Sequence, residues 1–335
     1  MKTIKIITIA IVLILVTAGV AVLSTYNSKQ KDSEIVGSVT LGIAKTEADA
    51  GVYIADELGL FTANGINVIL RPLGTGLAAY NAMIKGEVDV SFPTEFIVVG
   101  GAYRHHKIHI LSTVVKGDFF AIIGRKDHGI GKSSDLAGKR IGLKRNTIEE
   151  FFLGRILDLE GKSINDVTLV DMPFPAVVGA MREGAVDAVV TLPPYSDSIR
   201  SSLGGNAVEW SAQSGQWLFE VLTATDAWIA KNSDLAIRLL RALNQADMYI
   251  YHNPQEAKLI VRKRLNLDAA SVDRIWSRNY FSLSLDQSLI HAMEDEARWM
   301  IRNNMTTEKT VPDFTKYIYS DGLKSVKPEA VNIIH

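Results

Sequence analysis

The stretch GTGLAA at residues 74–79 follows the apolar run INVIL and carries residue types that could bind a phosphate or another small anion. It fits the G-x-G-x-x-A pattern, in which glycine admits a phosphate and a helix N-terminus supplies N–H donors. Glu95 follows at about the spacing of a ribose-binding acid, whereas Pro72 interrupts the passage from strand to turn. Three interpretations stay open: a dinucleotide site, a small-ligand site at Thr75 and Gly76, and a structural turn.

Two predicted strands end in short segments with polar or proline residues. These segments are Pro93-Thr94-Glu95 after VDVSF and Pro193-Pro194-Tyr195 after VDAVVTL. Open α/β sheets bind ligands beyond the carboxyl ends of their strands, so both segments are candidates for a ligand site. Glu95 could contact a ligand amine, or it could only place a negative charge at the N-terminus of the helix predicted from Phe96.

Two further pairs of residues complete the candidate site. Asn146 and Thr147 precede a helix whose start has the spacing of a capping box, and they could share an anion with the turn at 75–76. A plain cap is the alternative, since Glu149 already serves that helix end. Trp217 and Glu220 precede a returning strand, where a ring and a carboxylate would suit an amine-bearing or flat polar ligand. Simple packing between two lobes is the alternative for Trp217.

Metal and catalytic chemistry have little support in the sequence. His105, His106 and His109 have a spacing that suggests a metal, but Arg104 and Lys107 beside them oppose a cation. No HExxH, GxSxG or GKS/T motif occurs, and no histidine has a recognisable nucleophile partner. We therefore expect no metal, no cofactor and no catalytic residue.

The composition is that of a globular protein. The 335 residues are 47% hydrophobic and 22% charged, which excludes a disordered chain, and the formal net charge of −1 provides no global basic field for nucleic acid. There are 0 cysteines, so disulfides, thiolate catalysis and a lipid-modified N-terminal cysteine are excluded.

The N-terminus has the pattern of a targeting segment. Lys2 and Lys5 precede an uncharged, Ile-, Val- and Leu-rich stretch, so residues 1–24 are predicted to be a signal peptide or a membrane anchor. A polar linker at 25–34 follows. The folded part is therefore expected outside the cytoplasm, attached to the membrane if the segment is not cleaved.

Strands and helices alternate along the rest of the chain, which predicts mostly parallel sheets covered on both faces. The segment KGEVDVSF at 85–92 is echoed by REGAVDAVV at 182–190, so two similar α/β lobes are expected. The predicted first lobe comprises 35–124 with 226–335, and the second comprises 125–225. A cleft between two such lobes is the natural site for a ligand.

Six stretches in this order carry a resemblance to a known family. They are AGVYIADELGLFTANGINV, the GTG turn with KGEVDV, SSDLAGKRIGL, FFLGRILDLEGKSINDVTLV, REGAVDAVVTLPP and NPQEA. Together they resemble the periplasmic substrate-binding proteins of nitrate, sulfonate and taurine ABC transporters, a group that also includes binders of thiamine-precursor pyrimidines. The resemblance covers nearly all of residues 39 to about 320.

The resemblance implies a type II periplasmic-binding-protein fold, with two α/β lobes and two hinge crossovers closing on a small solute. It implies a monomer that delivers this solute to an ABC permease and its ATPase subunits. Ligand contacts are carried over to residues 47–51, which include Glu47 and Asp49, and to the candidates already named. Those are Thr75, Gly76, Thr94, Glu95, Asn146, Thr147, Pro194, Tyr195, Trp217 and Glu220; the segment Gly215-Gln216-Trp217 is similar to the GQW of taurine binders.

The chain also departs from the family pattern. Glu95 stands where sulfonate binders tend to have a small hydroxyl residue, and Glu47 and Asp49 add negative charge to the first loop. Like charges nearby disfavour an unaccompanied anion, so a taurine-like amino-sulfonate or an aminopyrimidine-like solute fits better than nitrate. The rival class is an enzyme on a related fold, such as a dinucleotide-dependent oxidoreductase.

Overall fold

The computed structural model describes residues 34–334, so the predicted signal or anchor segment and nearly all of the linker lie outside the described residues. The strands are β1 Gly37–Ile43, β2 Ile66–Pro72, β3 Val90–Ser91, β4 Ile108–Gly117, β5 Ala121–Arg125, β6 Arg140–Leu143, β7 Thr168–Asp171, β8 Ala188–Thr191, β9 Ala207–Ser211, β10 Leu218–Thr225 and β11 Asn279–Ser284. Within 34–334, no helix combines the length and the apolar character that a membrane crossing requires.

The helices alternate with these strands in the first two thirds of the chain and dominate the last third. They are α1 Ala50–Glu57, α2 Leu60–Ala63, α3 Gly76–Ile84, α4 Glu95–Tyr103, α5 Ile148–Leu159, α6 Phe174–Glu183, α7 Tyr195–Leu203, α8 Asp226–His252, α9 Pro254–Leu265, α10 Ala269–Trp276, α11 Gln287–Arg302 and α12 Ser320–Lys324. Helix α1 ends at Glu57 and α2 begins at Leu60, because Gly59 takes a left-handed φ of 64° between them.

The strands form two sheets, with the order β11-β4-β10-β3-β1-β2 in the first and β7-β6-β8-β5-β9 in the second. We call the first sheet with α1–α4 and α8–α12 lobe 1, and the second sheet with α5–α7 lobe 2. The predicted boundaries at 124 and 225 are displaced, because β5 pairs within the second sheet and β10 within the first. The chain therefore crosses between sheets at 118–120 and at 212–217.

The expectation of mostly parallel sheets is wrong in detail. Strands β1, β2 and β3 pair in parallel, as do β6, β7 and β8, but β4, β10 and β11 run antiparallel in the first sheet and β5 and β9 in the second. Every antiparallel pair includes β4, β5, β9 or β10, which are the strands on either side of the two connections between the sheets. The parallel pairs lie among the strands that alternate with helices, as parallel pairing requires.

The predicted echo between the lobes corresponds to a repeated hydrogen-bond pair. The carboxylate of Asp89 accepts from the backbone N–H of Thr40, 2.8 Å away, and the Asp89 N–H donates to the carbonyl of Thr40. Asp187 repeats both bonds with Arg140, again with 2.8 Å between its carboxylate and the backbone nitrogen. In each lobe, the Asp of the Val-Asp pair therefore joins the start of one strand to the neighbouring parallel strand, β3 to β1 in lobe 1 and β8 to β6 in lobe 2.

The two crossovers are tied together by the side chain of Gln213, which is fully buried. Its carbonyl oxygen accepts from the backbone N–H groups of Phe119 and Phe120 at 2.8 and 3.0 Å. Its amide donates to the carbonyls of Gly117 and Gln216, both at 2.8 Å. One side chain thus satisfies backbone groups of both connections between the lobes.

Replacing this residue should lower stability more than an average surface substitution. We expect Gln213→Ala to reduce the free energy of unfolding by about 3 kcal/mol, because buried N–H and C=O groups of both crossovers lose their partners. Urea denaturation measures the change, with Gln255→Ala on the exposed first turn of α9 as the matched control. Equal midpoints for the two variants would contradict this role of Gln213.

Candidate ligand-binding site

A cavity of about 180 Å³ lies between the two lobes. Its walls come from segments that follow β1, β2, β3, β6, β7 and β8, from both sheets' carboxyl-terminal edges, together with the first crossover and β10. The lining residues are Ala44, Thr46, Glu47, Ala48, Gly74, Thr75, Gly76, Leu77, Thr94, Ile97, Phe119, Phe120, Lys144, Thr147, Ile148, Glu149, Pro173, Phe174, Leu192 and Glu220. This is where open α/β sheets place their ligands.

The N-termini of four helices face this cavity: α3, α4, α5 and α6. Thr75 caps α3, and its hydroxyl accepts from the backbone N–H of Ala78 at 3.1 Å. The capping box predicted at the start of α5 is wrong, because the Thr147 hydroxyl donates to the carbonyl of Lys144 at 2.7 Å. The carboxylate of Glu150 instead accepts from the N–H of Asn146 at 2.8 Å.

The glycines of the GTG turn have structural reasons of their own. Gly74 has a φ of 82°, which side chains rarely adopt. A Cβ at Gly76 would lie 3.1 Å from the carbonyl oxygen of Phe92 and 3.2 Å from the Cα of Pro93, so α3 packs closely on the end of β3. Of the three interpretations of this turn, a structural turn that borders the cavity accounts for both residues.

Two carboxyl groups at the cavity have no partner from another residue in the part of the chain that the structure describes. Burial raises the pKa of Glu47 to about 7, with nearby Asp49 adding to the shift. Burial also raises the pKa of Glu220 well above its usual value, and the charges of Asp49, Glu95 and Glu47 add to it. Ionising either carboxyl group therefore carries a desolvation cost, and no ion pair within residues 34–334 offsets it.

The other charged groups at the cavity are engaged. Glu149 accepts from the backbone N–H of Lys144 at 2.9 Å and from the Thr147 hydroxyl at 3.3 Å, and burial raises its pKa to about 8. The Lys144 ammonium forms an ion pair with Asp171 at 2.9 Å. The cavity therefore presents free carboxyl groups and no free cation among its lining residues.

Three phenylalanines form the apolar wall. Phe119 and Phe120 lie in the first crossover with their ring centroids 5.4 Å apart, and Phe174, at the start of α6, lies 6.2 Å from Phe120. Thr94 adds a polar group to this surface, since its hydroxyl is buried and has no hydrogen-bond partner among the described residues. A flat solute with polar edges would meet rings, a hydroxyl and carboxyl groups in one space.

Half of the predicted contact residues line the cavity: Glu47, Thr75, Gly76, Thr94, Thr147 and Glu220. Tyr195 stands behind the wall, where its ring stacks on Phe174 at 5.7 Å, and Pro194 precedes it as the N-cap of α7. Asn146 borders a neighbouring cavity that shares Leu77 and Ile97 with this one.

Three predicted contacts point elsewhere. Asp49 accepts from the Thr46 N–H at 2.9 Å and therefore shapes the loop after β1. Glu95 is fully buried and accepts from the Phe219 N–H at 3.0 Å, beside Glu296. Trp217 lies on a different groove, where its ring packs edge-on against Tyr280 at 5.2 Å. These three residues lie next to or near lining residues in the sequence, but their own side chains point away from the cavity.

The lining residues that the sequence interpretation missed are chiefly Phe119, Phe120, Phe174, Lys144 and Glu149. The apolar run FFAIIG at 119–124 has the pattern of one strand, which hides the phenylalanine pair, whereas β5 begins at Ala121. Lys144 follows β6 and Phe174 follows β7, so the rule that ligands bind at strand ends marks both residues.

The three histidines diverge. The ring of His106 hydrogen-bonds to the Tyr80 hydroxyl at 3.0 Å, His109 pairs with Asp226 at 2.8 Å, and His105 lies 3.7 Å from Glu308. No group of metal-ligating side chains occurs in residues 34–334. The spacing that suggested a metal therefore reflects three separate contacts at the end of α4 and in β4.

The sequence is similar to one protein family and to proteins named as binding proteins. The family model described as NMT1/THI5 like matches residues 47–257. A candidate binding protein of Brucella abortus (strain 2308) is 26% identical over 226 residues, which cover 66% of this chain and 69% of that protein. The taurine-binding periplasmic protein of Escherichia coli (strain K12) is 24% identical over 195 residues, 58% of either chain.

Solved structures confirm the predicted fold. The alkanesulfonate-binding protein SsuA from Xanthomonas axonopodis pv. citri, bound to MOPS, superimposes with a TM-score of 0.73 at 16% identity, covering 84% of this chain and 98% of that one. The fold is therefore the α/β type II periplasmic-binding-protein fold. The desulfurization enzyme DSZB shares it, with a TM-score of 0.63 at 15% identity over 88% of this chain and 99% of that one. This fold thus occurs in binding proteins and in an enzyme.

The raised pKa of Glu47 predicts a pH-dependent stability. Because folding raises this pKa from 4.5 to about 7, the folded protein holds the proton more tightly, and stability is lost as pH rises through this window. We expect Glu47→Gln, without solute, to raise the free energy of unfolding at pH 8 by on the order of 1–3 kcal/mol.

At pH 4 the same variant should nearly match the wild type, since the Glu47 carboxyl is then mostly protonated in the folded and in the unfolded protein. Urea denaturation at the two pH values measures the difference, and Glu87→Gln, at an exposed carboxyl, is the control. A Glu47→Gln protein that is equally destabilised at both pH values would show that this carboxyl is held by a favourable contact instead.

Proposed function

The chain belongs to the NMT1/THI5-like family, and from this premise we propose that it is the extracytoplasmic solute-binding component of an ABC importer. Its solute would occupy the cavity between the lobes and be small, since about 180 Å³ lies below the roughly 300–1,000 Å³ of pockets for drug-sized ligands. A cavity of this volume is also too small for a dinucleotide. The protein would release the solute to a permease and its ATPase subunits.

The observation that carries the proposal is the unpartnered pair Glu47 and Glu220 on an otherwise apolar cavity. A protonated amine, or the amino edge of a pyrimidine, would give these carboxyl groups the hydrogen bonds that the protein does not supply. The rings of Phe119, Phe120 and Phe174 would pack on the flat or apolar part of the solute. We therefore propose an aminopyrimidine-like or amine-bearing solute, including taurine-like zwitterions.

A bare anion suits this cavity less well. Two like unit charges about 4 Å apart repel by roughly 4 kcal/mol at an effective dielectric constant near 20. The helix N-termini at Thr75 and Thr147 offer backbone N–H groups to a sulfonate. Near Thr147, however, the backbone N–H of Lys144 already donates to the carboxylate of Glu149. A sulfonate would thus gain from these helices chiefly when an amine on the same molecule neutralises Glu47 or Glu220.

The location and the partners follow from the same premise. The basic and apolar pattern of residues 1–24 supports export, either by a cleaved signal or with an anchor that keeps the protein at the membrane. The relatives named as binding proteins support a carrier and not an enzyme. Solute delivery from outside the cell would then require no chemistry at the site.

A ligand panel tests the proposal. We expect thermal shift and calorimetry at pH 8 to show binding of aminopyrimidines or amino-sulfonates, and none of nitrate or unsubstituted alkanesulfonates. Glu220→Gln should weaken binding about 10–100-fold, because a hydrogen bond to a charged group contributes about 1.5–3 kcal/mol. Glu87→Gln is the matched control. Equal binding of unsubstituted alkanesulfonates, with unchanged affinity in Glu220→Gln, would refute the proposed solute class.

The affinity for a permanently cationic solute should depend on pH. Below about pH 7 Glu47 takes up a proton, and a neutral carboxyl no longer attracts the cation. We expect the affinity to fall by up to about tenfold per pH unit between pH 7 and 5, and the Glu47→Gln variant to lose this slope. Calorimetry across the range measures it; an affinity that rises on acidification would contradict the role of this carboxylate.

A further inference from the structure

Helix α5 of lobe 2 lies against helix α11 of lobe 1 at a point outside the ligand cavity. At the contact α5 carries Gly154, and a Cβ there would lie 2.6 Å from Cε2 and from Nε1 of Trp299 on α11. The nearest atoms that this Cβ would meet all belong to Trp299. The indole of one lobe therefore lies directly on the backbone of a helix in the other lobe.

Trp299 has little room to move away. Its side chain is 1% exposed, and its ring packs edge-on against Phe151 of α5 at 5.5 Å between centroids. Phe96 of α4, on lobe 1, lies 6.3 Å away on the same ring cluster and 5.8 Å from Phe151. This cluster is shared by both lobes, so separating the lobes would expose it.

Ion pairs between the same two helices flank the cluster. Arg155 of α5 pairs with Asp295 of α11 at 2.6 Å, and its guanidinium lies 5.8 Å from the centre of the Phe151 ring. Arg302 at the end of α11 lies 3.7 Å from Asp158 of α5. The helices thus meet over more than one turn, with Gly154 at the point of closest approach.

Glycine inside a helix has a cost that this contact explains. Gly154 lies seven residues into α5, where glycine lowers helix stability relative to alanine. Replacing it with alanine would favour the helix itself and penalise only the approach of Trp299. The glycine is therefore accounted for by the interface between lobes, not by the folding of lobe 2.

The contact bears on the ligand site because α5 reaches both. Its N-terminal residues, Thr147 to Glu149, line the cavity, while its middle rests on Trp299. We propose that Gly154 and Trp299 are positioning residues, which set the affinity for the solute by holding the lobes closed without contacting it. The proposal rests on the function proposed above, in which the solute binds between the lobes.

Conformational linkage gives the expected size of the effect. If only a fraction of the molecules can close, the apparent dissociation constant rises by the inverse of that fraction. A methyl group at position 154 would shift the equilibrium toward open molecules, and the larger Val side chain would shift it further. We expect Gly154→Ala to weaken solute binding at least tenfold, with an unfolding midpoint close to that of the wild type, because the gain in helix stability offsets part of the weakened contact between the lobes.

Two further variants separate positioning from general damage. Gly179→Ala is the matched control: it lies inside α6 of the same lobe, and a Cβ there meets nothing within 4 Å, so affinity should stay at the wild-type value. Trp299→Leu combined with Gly154→Ala removes the ring that the new methyl would meet. The double variant should regain affinity relative to Gly154→Ala alone, which a purely destabilising substitution would not allow.

Closure can also be measured without any solute, since the chain has 0 cysteines. Asp158→Cys and Arg302→Cys introduce one thiol on each helix, and the rate at which a short bis-maleimide cross-links the two thiols reports how often the lobes meet. We expect this rate to fall at least tenfold when Gly154→Ala is added, and to be unaffected by Gly179→Ala.

The outcomes distinguish this proposal from the function on which it rests. Equal cross-linking rates with and without Gly154→Ala would overturn the positioning role. Slower cross-linking with a wild type that binds none of the amine-bearing panel would support the role and reject the proposed solute class. Slower cross-linking with unchanged affinity in Gly154→Ala would show that closure at this contact does not control binding, and would overturn the proposal.

Discussion

The lobes are connected by two short crossovers, and one buried amide hydrogen-bonds to both. Gln213 accepts from the N–H groups of Phe119 and Phe120 and donates to two carbonyls, so the backbone of each crossover is satisfied without water. The same hydrogen bonds hold the two phenylalanines at the wall of the cavity. The geometry of the hinge and the apolar surface offered to a solute are therefore set by one side chain.

The chemistry of the cavity follows from desolvation. Glu47 and Glu220 lie where water is largely excluded and where no cation of the described chain reaches them, so burial raises the pKa of both. Charged groups in such places normally have partners, because an unpaired buried charge is costly. In the function proposed above, a ligand that brings hydrogen-bond donors would lower this cost on binding, and the lobes would close around it. The carboxyl groups would then favour an amine and disfavour a bare anion.

Closure requires contacts beyond the cavity as well. Trp299 rests on the backbone of α5 at Gly154, while the N-terminus of the same helix borders the ligand space. A rigid helix that touches both places couples them mechanically. The size of the residue at such a contact matters, because a close-packed interface has no space for an added methyl group.

The sequence by itself determined the two-lobe α/β organisation. Local periodicity indicated most strands and helices, and the repeated Val-Asp step reflects an identical hydrogen-bond pair at Asp89 and Asp187. It also identified several loops that border the cavity, because strand ends are recognisable from pattern alone, but not the first crossover or the loop after β7. Only the tertiary structure decided which side chains face the ligand. Trp217 and Glu220 are three residues apart, yet one packs on Tyr280 and the other borders the cavity. Gln213 and Phe119 are 94 positions apart, and Gly154 and Trp299 are 145 positions apart. No local pattern encodes such a pairing, because it exists only after the lobes have folded and met.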